Sequence, residues 1–272
     1  MKKIFSDFMR PFELLLSKIL GNEKCHSCGF KGKQKVKSVL WADLINEWEL
    51  SPEWVSWFND REGRYCVNCH CSARADQLAM CIIEAFKKMT GVKSETLKKA
   101  FDRNENRKLV VAEINSAGTL HQFLCKSPNL IYSEYASKID NIPSESLLGL
   151  SYQSNMFDIV ITSETLEHVP DVDIALKEIY RVLKPGGIHV FSIPIVWDRP
   201  YTKVCAKIEN GKLVHLFPPS FHGSKYENQS DYLVFYEFGV DFVERCQKSG
   251  FIVELIKDKT NPALVCFITY KN

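Results

Sequence analysis

The chain has 272 residues, 45% of them hydrophobic and 12% aromatic, enough to bury one large core and a small satellite region that needs other support. A formal net charge of +2 and a pI near 8.0 exclude a bulk field that recruits nucleic acid or anionic membrane, leaving only local patches. Ten cysteines without a visible export signal predict reduced thiols in a cytoplasmic protein, some of them on a metal.

In chain order, "MKKIFSDFMRPFELLLSKILG" comes first, where Asp7, Arg10 and Glu13 interrupt any run long enough for a signal peptide or a membrane span. Phe5, Phe8, Phe12 and Leu16 fall near helical spacing. That predicts a short amphipathic helix packed on the body of the protein, with weak membrane-surface contact as the alternative. Next come two C-x-x-C knuckles, "CHSC" with Cys25 and Cys28 and "CVNC" with Cys66 and Cys69. Four thiolates at this spacing suit a structural, tetrahedral Zn²⁺ that staples a region with little core of its own, although His26, His70 or Cys71 could replace one ligand. Between the knuckles, "LWADLINEWELSPEWVSWF" has tryptophans at helical spacing, read as ordinary core in preference to a ligand cage. The one local basic run, Phe30 to Lys37, is read as solvated surface.

Residues 76–105 look helical with a break at Gly91, and from Arg107 onward short apolar strands alternate with helices. Strands are expected at Lys108–Ile114, Leu130–Glu134, Phe157–Thr162, Ile188–Ile193, Phe251–Ile256 and Leu264–Tyr270. Such alternation signals a layered α/β domain with a mainly parallel sheet. "DVDIALKEIYRVLKPGG" reads as a crossover helix with an acidic first turn, Val172, Leu176, Ile179 and Leu183 on one face, and a Pro-Gly-Gly stop. About 197–236 breaks the alternation, and Asn210-Gly211 predicts an inserted hairpin there. The organisation expected is therefore 1–75 as N-terminal helix and zinc-binding region, 76–105 as helical connector, and 106–272 as the main domain.

"VVAEINSAGTLHQFL" raises the question of a cofactor turn with only one glycine. A strand, an acid at Glu113, small residues at Ser116, Ala117 and Gly118, and a helix start can hold a nucleoside cofactor. Ser116 and Ala117 suffice where φ is negative, and Asn115 is among the few residues other than glycine that tolerate positive φ. Glu134, about twenty residues after Glu113 at the end of the next strand, is placed to accept hydrogen bonds from both ribose hydroxyls.

The stretch from Leu147 to Pro194 closely resembles class I S-adenosylmethionine-dependent methyltransferases of the methyltransferase type 11 kind. The resemblance rests on Asn155-Met156-Phe157-Asp158, Glu167-His168-Val169-Pro170 and Arg181 to Gly187. With "LWADLINEWELS", "REGRYCVNCHCSARADQLA" and "LVFYEFGVDFVERCQKSGF", nearly the whole chain is similar to a bacterial subfamily with a cysteine-rich N-terminal region. The resemblance implies a Rossmann-like seven-stranded sheet of order 3-2-1-4-5-7-6 with an antiparallel last strand. It implies S-adenosyl-L-methionine as cosubstrate. Glu113 and Asn115 to Gly118 would meet its methionine end, Glu134 and Tyr135 its ribose, and Glu145-Ser146 its adenine, with Ser163 and Glu164 bordering the transferred methyl. Ser146 stands where the wider family often has an acid.

A hydroxyl acceptor also needs a base, and His168 and His222 qualify by position, although His168 reads first as a hydrogen-bonded turn residue and His222 reads equally as loop scaffolding. His121, His189 and His215 are taken as structural or exposed. Arg199 and Tyr201 are placed either near an acceptor or at the surface. The acceptor implied is a small molecule or a glycan, with surface polysaccharide as a context. Two rivals stand beside it: an RNA base methyltransferase that grips RNA through the zinc region, and a non-catalytic scaffold that has lost the cofactor.

Overall fold

A computed structural model of the chain describes residues 2–221 and 232–272, with side chains from Arg10 onward. Its central sheet has six strands: β1 (Val111–Ile114), β2 (Leu130–Ser133), β3 (Phe157–Ser163), β4 (Leu183–Ser192), β5 (Ile252–Lys257) and β6 (Val265–Tyr270). Their spatial order is β5-β6-β4-β3-β1-β2, with β2, β1, β3 and β4 parallel and β6 antiparallel to both of its neighbours. This is the expected class I order with one strand reduced. Beside β2, where the remaining strand belongs, only the parallel Glu134–Ser144 bridge forms. The intervening "YASKIDNIP" is largely polar, contains Pro143, and passes through positive φ at Ala136 and Asn141, so it offers no continuous ladder.

The crossover helix Val172–Val182 starts on Asp171, whose carboxylate accepts from the amides of Asp173 (3.1 Å) and Ile174 (3.0 Å), and it buries Val172, Leu176 and Ile179. It ends one residue earlier than the sequence suggests. Leu183 is already extended and pairs with Phe157; the ladder then resumes at Ile159 with Ile188, so Pro-Gly-Gly forms a bulge inside β4 rather than a helix stop. The hairpin Ala206–Glu209 and Lys212–His215 turns on Asn210 and Gly211, at φ 52° and 74°. Two left-handed residues in succession are what a tight hairpin turn requires.

The helices that precede the sheet include α1 (Lys2–Leu20), α2 (Ala42–Glu47), α3 (Pro52–Gly63) and α4 (Ala73–Thr90), followed by two single turns at Leu97–Ala100 and Asn104–Arg107. Ser72 caps α4 by accepting from the Ala75 amide, and Gly91, at φ 74°, ends it at the expected break. The buried face of α4, including Leu78, Ile82 and Phe86, packs on β4 and β6, and one core runs from Cys25 and Cys66 through α4 to the sheet. Each such side chain contributes about 1.5–3 kcal/mol of apolar burial. Trp48, Trp54 and Phe58 form a second buried group under α2 and α3.

Among the described side chains, the expectation that α1 lays its apolar face on the body is not met; those of Phe5 and Phe8 lie outside the described residues. The body holds α1 through Ser17, whose hydroxyl donates to the Lys33 carbonyl (2.6 Å), and through Arg10, which donates to the Asn68 carbonyl (2.9 Å). Phe12, Leu15, Leu16, Ile19 and Leu20 remain exposed. Residues 24–36 supply only a short two-residue strand and a polar loop beneath the helix, too little apolar surface to cover such a stripe. Among the described residues no helix is long and apolar enough to cross a membrane.

Candidate active site

At the carboxyl end of β1 the glycine-poor turn is formed without distortion. Asn115 and Gly118 take the two left-handed positions, at φ 58° and 60°, while Ala117 stays at −74°. Asn115 therefore does what glycine does in richer turns, and its Oδ1 also accepts from the Tyr135 amide (2.7 Å), tying the ends of β1 and β2 together. Ser116 and Gly118 are exposed, and a Cβ on Gly118 would meet nothing within 4 Å, so the turn faces open space. Glu134 is half-buried across the turn; its Oε1 accepts from the Ser116 amide (3.2 Å) and from the Tyr132 hydroxyl. Open backbone beside a carboxylate fits a nucleoside bearing both hydroxyls and an amino-acid tail.

Glu113 is fully buried and commits both oxygens inward, accepting from the Ala117 amide (2.8 Å) and pairing with His121 Nδ1 (2.7 Å). Burial pushes its pKa up, against the opposing pull of these two partners. It shapes the turn from behind. Glu145 likewise faces its own loop, accepting from the Ser151 amide (2.9 Å) and hydroxyl. Ser146 accepts from the Leu148 amide (3.2 Å), and Tyr135 is 60% exposed.

Past the end of β3, two arginines from the N-terminal region meet the residues expected near the methyl. Arg61, fully buried, donates to both oxygens of Glu164 (2.7 and 2.8 Å) and to the Ile193 carbonyl (3.1 Å). Arg74 donates to the Ser163 hydroxyl (2.7 Å) and to Glu62 (2.9 Å). Burial alone would raise the Glu164 pKa, but the two guanidinium groups outweigh it and hold the carboxyl at about 2. Glu164 is an anion here.

Next to this cluster lies a cavity of about 440 Å³, walled by Trp41, Leu44, Trp48, Phe58, Pro194 and Tyr232, with Glu164, Glu167 and His168 at its polar end. Glu167 has no exposed surface, and neither carboxyl oxygen has a hydrogen-bond partner among the described residues. Burial, then the charge of Glu164, raises its pKa well above its ordinary value. His168 Nδ1 lies 3.0 Å from the Leu233 carbonyl, which fixes the proton on Nδ1 and leaves Nε2 as acceptor, 3.7 Å from Glu167. Burial lowers the His168 pKa below its ordinary value. His222 lies outside the described residues.

The four knuckle thiols converge: the Sγ atoms of Cys25, Cys28, Cys66 and Cys69 lie within 4.8 Å of one another, with Cys25–Cys69 at 3.6 Å and Cys28–Cys66 at 3.8 Å. Tetrahedral zinc with roughly 2.3 Å bonds places its sulfurs about 3.8 Å apart, so the donor set fits that ion. The amide of Phe30 and Nδ2 of Asn68 point at Cys28 Sγ, each at 3.5 Å, as thiolates require. His26 pairs instead with Asp76 (2.9 Å), and neither it, His70 nor Cys71 joins the cluster.

Sequence reasoning missed Arg61, Arg74, Glu167 and the tryptophan wall. The tryptophans are core, as expected, yet Trp41 and Trp48 also present faces to the cavity. The available signal was the buried-type spacing of Arg61 within the apolar face of α3. Arg199 and Tyr201 do not reach the cavity: Arg199 pairs with Glu237 and donates to the Trp48 carbonyl, and Tyr201 is exposed. His121 backs the turn, His189 is buried against Thr162, and His215 lies on the exposed hairpin.

The sheet thus has the strand order that the resemblance implies, less one strand, with an open turn and a cavity at its strand ends. Residues 137–191 match the family described as a methyltransferase domain. A ubiquinone/menaquinone biosynthesis C-methyltransferase of Hydrogenovibrio crunogenus is 42% identical over 59 residues, 18% of this chain and 23% of that protein. A demethylmenaquinone methyltransferase of Staphylococcus saprophyticus is 36% identical over 80 residues, 29% of this chain and 34% of that protein. The chain therefore matches about a quarter and a third of the length of these two curated relatives. Among solved structures, an amino pentose methyltransferase of Micromonospora echinaspora with S-adenosylmethionine bound is 10% identical, covering 75% of this chain and 94% of its own, with a TM-score of 0.46.

Proposed function

We propose that the protein transfers a methyl group from S-adenosylmethionine to a small-molecule acceptor seated in the tryptophan-walled cavity. The observation that carries this reading is adjacency: the cavity opens at the end of β3, the strand next to the one that bears the cofactor turn. When bound, the cosubstrate supplies an electrophilic methyl on a sulfonium. The backbone of Ser116 to Gly118 receives its amino-acid end and Glu134 its ribose hydroxyls. Tyr135 and the Glu145-Ser146 loop flank the nucleoside. Ser163 and Glu164, held by Arg74 and Arg61, border the methyl, where a fixed anion favours a cationic sulfur.

Aromatic and aliphatic walls suit an acceptor with an apolar or ring-shaped body, and the names of the quinone-pathway relatives agree with that chemistry. A sugar ring can also stack on tryptophan, so a glycan acceptor stays within this reading. As the acceptor's oxygen attacks the methyl carbon, the carbon–sulfur bond breaks with its electron pair going to sulfur. The acceptor's proton passes to His168 Nε2. Glu167 lines the same pocket, with both carboxyl oxygens unpartnered among the described residues. Cys25, Cys28, Cys66 and Cys69 would hold a structural Zn²⁺, which would fix the N-terminal region and, with all four positions filled by protein, leave none open for the transfer.

The test is release of S-adenosylhomocysteine from metal-replete protein given phenolic, quinol and hexopyranoside acceptors in turn. Turnover with one class, reduced at least tenfold by His168→Ala, supports the reading; no turnover with any of them at saturating cosubstrate counts against it.

A further inference from the structure

Helix α1 has its polarity reversed relative to a helix docked by its apolar side. Ser17, buried, is held by the Lys33 backbone in both directions: its hydroxyl donates to the Lys33 carbonyl and its own carbonyl accepts from the Lys33 amide (2.9 Å). On the outward side Phe12, Leu15, Leu16, Ile19 and Leu20 follow i, i+3, i+4, i+7, i+8 spacing, 44–72% exposed. Val36, on the short strand beside the helix, adds to the same apolar patch and is 66% exposed. Isolated exposed leucines need no explanation, but a continuous helical stripe does.

The charge around it is equally one-sided. Residues 1–37 hold nine Lys and Arg against three Asp and Glu, a net of +6, so the remainder of this +2 chain carries −4. Lys18, Lys24, Lys31, Lys33, Lys35 and Lys37 are all exposed. Of these, Lys35 pairs with Glu13. The basic run and the helix are neighbours: Lys33, Lys35 and Val36 line one groove with Phe12, Leu16 and Leu20.

We propose that α1 and the basic run form a docking surface for anionic phospholipid membrane, the helix lying in the interface with its apolar stripe among the acyl chains. An apolar stripe flanked by lysines is complementary to such a surface on both counts, and neither feature serves the cleft at the sheet. The interaction is independent of the methyl-transfer reading.

The test is co-sedimentation of the full-length protein with phosphatidylcholine vesicles and with vesicles that also contain phosphatidylglycerol. Binding is expected on the anionic vesicles, weaker at raised salt, and about fivefold weaker for each of Lys31 and Lys33 changed to Glu. Leu16→Glu with Ile19→Glu should weaken it by at least about tenfold while the circular dichroism spectrum is unchanged, since both side chains already face water. Absence of binding to anionic vesicles overturns the proposal. So does equal binding by wild type and the Leu16/Ile19 variant. A dimer in sedimentation velocity that the same variant disperses, without vesicle binding, assigns the stripe to a second copy and overturns it too.

Discussion

Replacing Arg61 by Met tests how the N-terminal region is locked onto the sheet. The methionine keeps much of the apolar volume and removes a guanidinium that bonds both Glu164 oxygens and the Ile193 carbonyl. Breaking a buried pair from one side costs about 3–5 kcal/mol, because the other charge stays behind. The Glu164 side chain is 21% exposed and its carboxyl is held at about 2 against an ordinary 4.5, which by linkage is also about 3 kcal/mol at neutral pH. Because the folded-state pKa is depressed, this contribution is complete above the unfolded pKa near 4.5 and disappears as pH falls through about 2. Urea unfolding at pH 7 and again near pH 3 measures it. The deficit of Arg61→Met should be about 3 kcal/mol at neutral pH and less than half of that near pH 3. A deficit that does not change with pH, or one below about 0.5 kcal/mol at pH 7, would refute the assignment of the pair as the lock.

Asn115→Gly should leave stability within about 1 kcal/mol and cosubstrate affinity unchanged, whereas Asn115→Val should weaken both, because φ 58° strains a β-branched residue; calorimetry on the two variants decides. If His168 accepts the proton, its lowered pKa keeps the ring unprotonated at pH 7, so turnover should be flat from neutral pH to below 6.5 and fall only in more acid solution. A limb at or above 6.5, or a limb that survives His168→Ala, removes His168 from that role. Chelation should release one zinc per chain and lower the melting temperature, and Cys28→Ser should do the same without chelator; a chelator-insensitive melting point would argue against a metal at the four thiols. Trp48→Ala should raise the acceptor KM more than it lowers kcat, as expected of a wall that binds and does not react.

The sequence signals divide by what they hold. The most recognisable motifs turn out to be braces for the sheet. Asp158 accepts from the Val110 amide (2.7 Å) and pairs with Lys184 (2.9 Å), and Arg181 donates to the Leu150 and Tyr152 carbonyls (both 2.8 Å). Such local, periodic and charge-paired features can be read along the chain, as could the pairing of the knuckles, whereas the strand order and the antiparallel edge were implied by the family resemblance. The turn at Asn115 was legible because positive φ narrows the choice of residue. Long-range facts were not. Nothing in "WFNDREG" says that its arginine will meet a glutamate 103 residues later, and nothing in the tryptophan spacing separates a core face from a cavity wall. Both depend on how α2 and α3 settle over β3 and β4. The reduced strand beside β2 and the outward stripe of α1 were missed because the family pattern and the usual amphipathic rule spoke more loudly than local composition.

Titration of the metal-replete protein with S-adenosylhomocysteine in a calorimeter bears most directly on the central claim, that the turn after β1 and Glu134 form a working nucleoside site. Saturable one-to-one binding is expected, weakened about 10- to 100-fold in Glu134→Ala by the loss of a charged hydrogen-bond acceptor. No heat at millimolar ligand, or equal affinity in the variant, would contradict it.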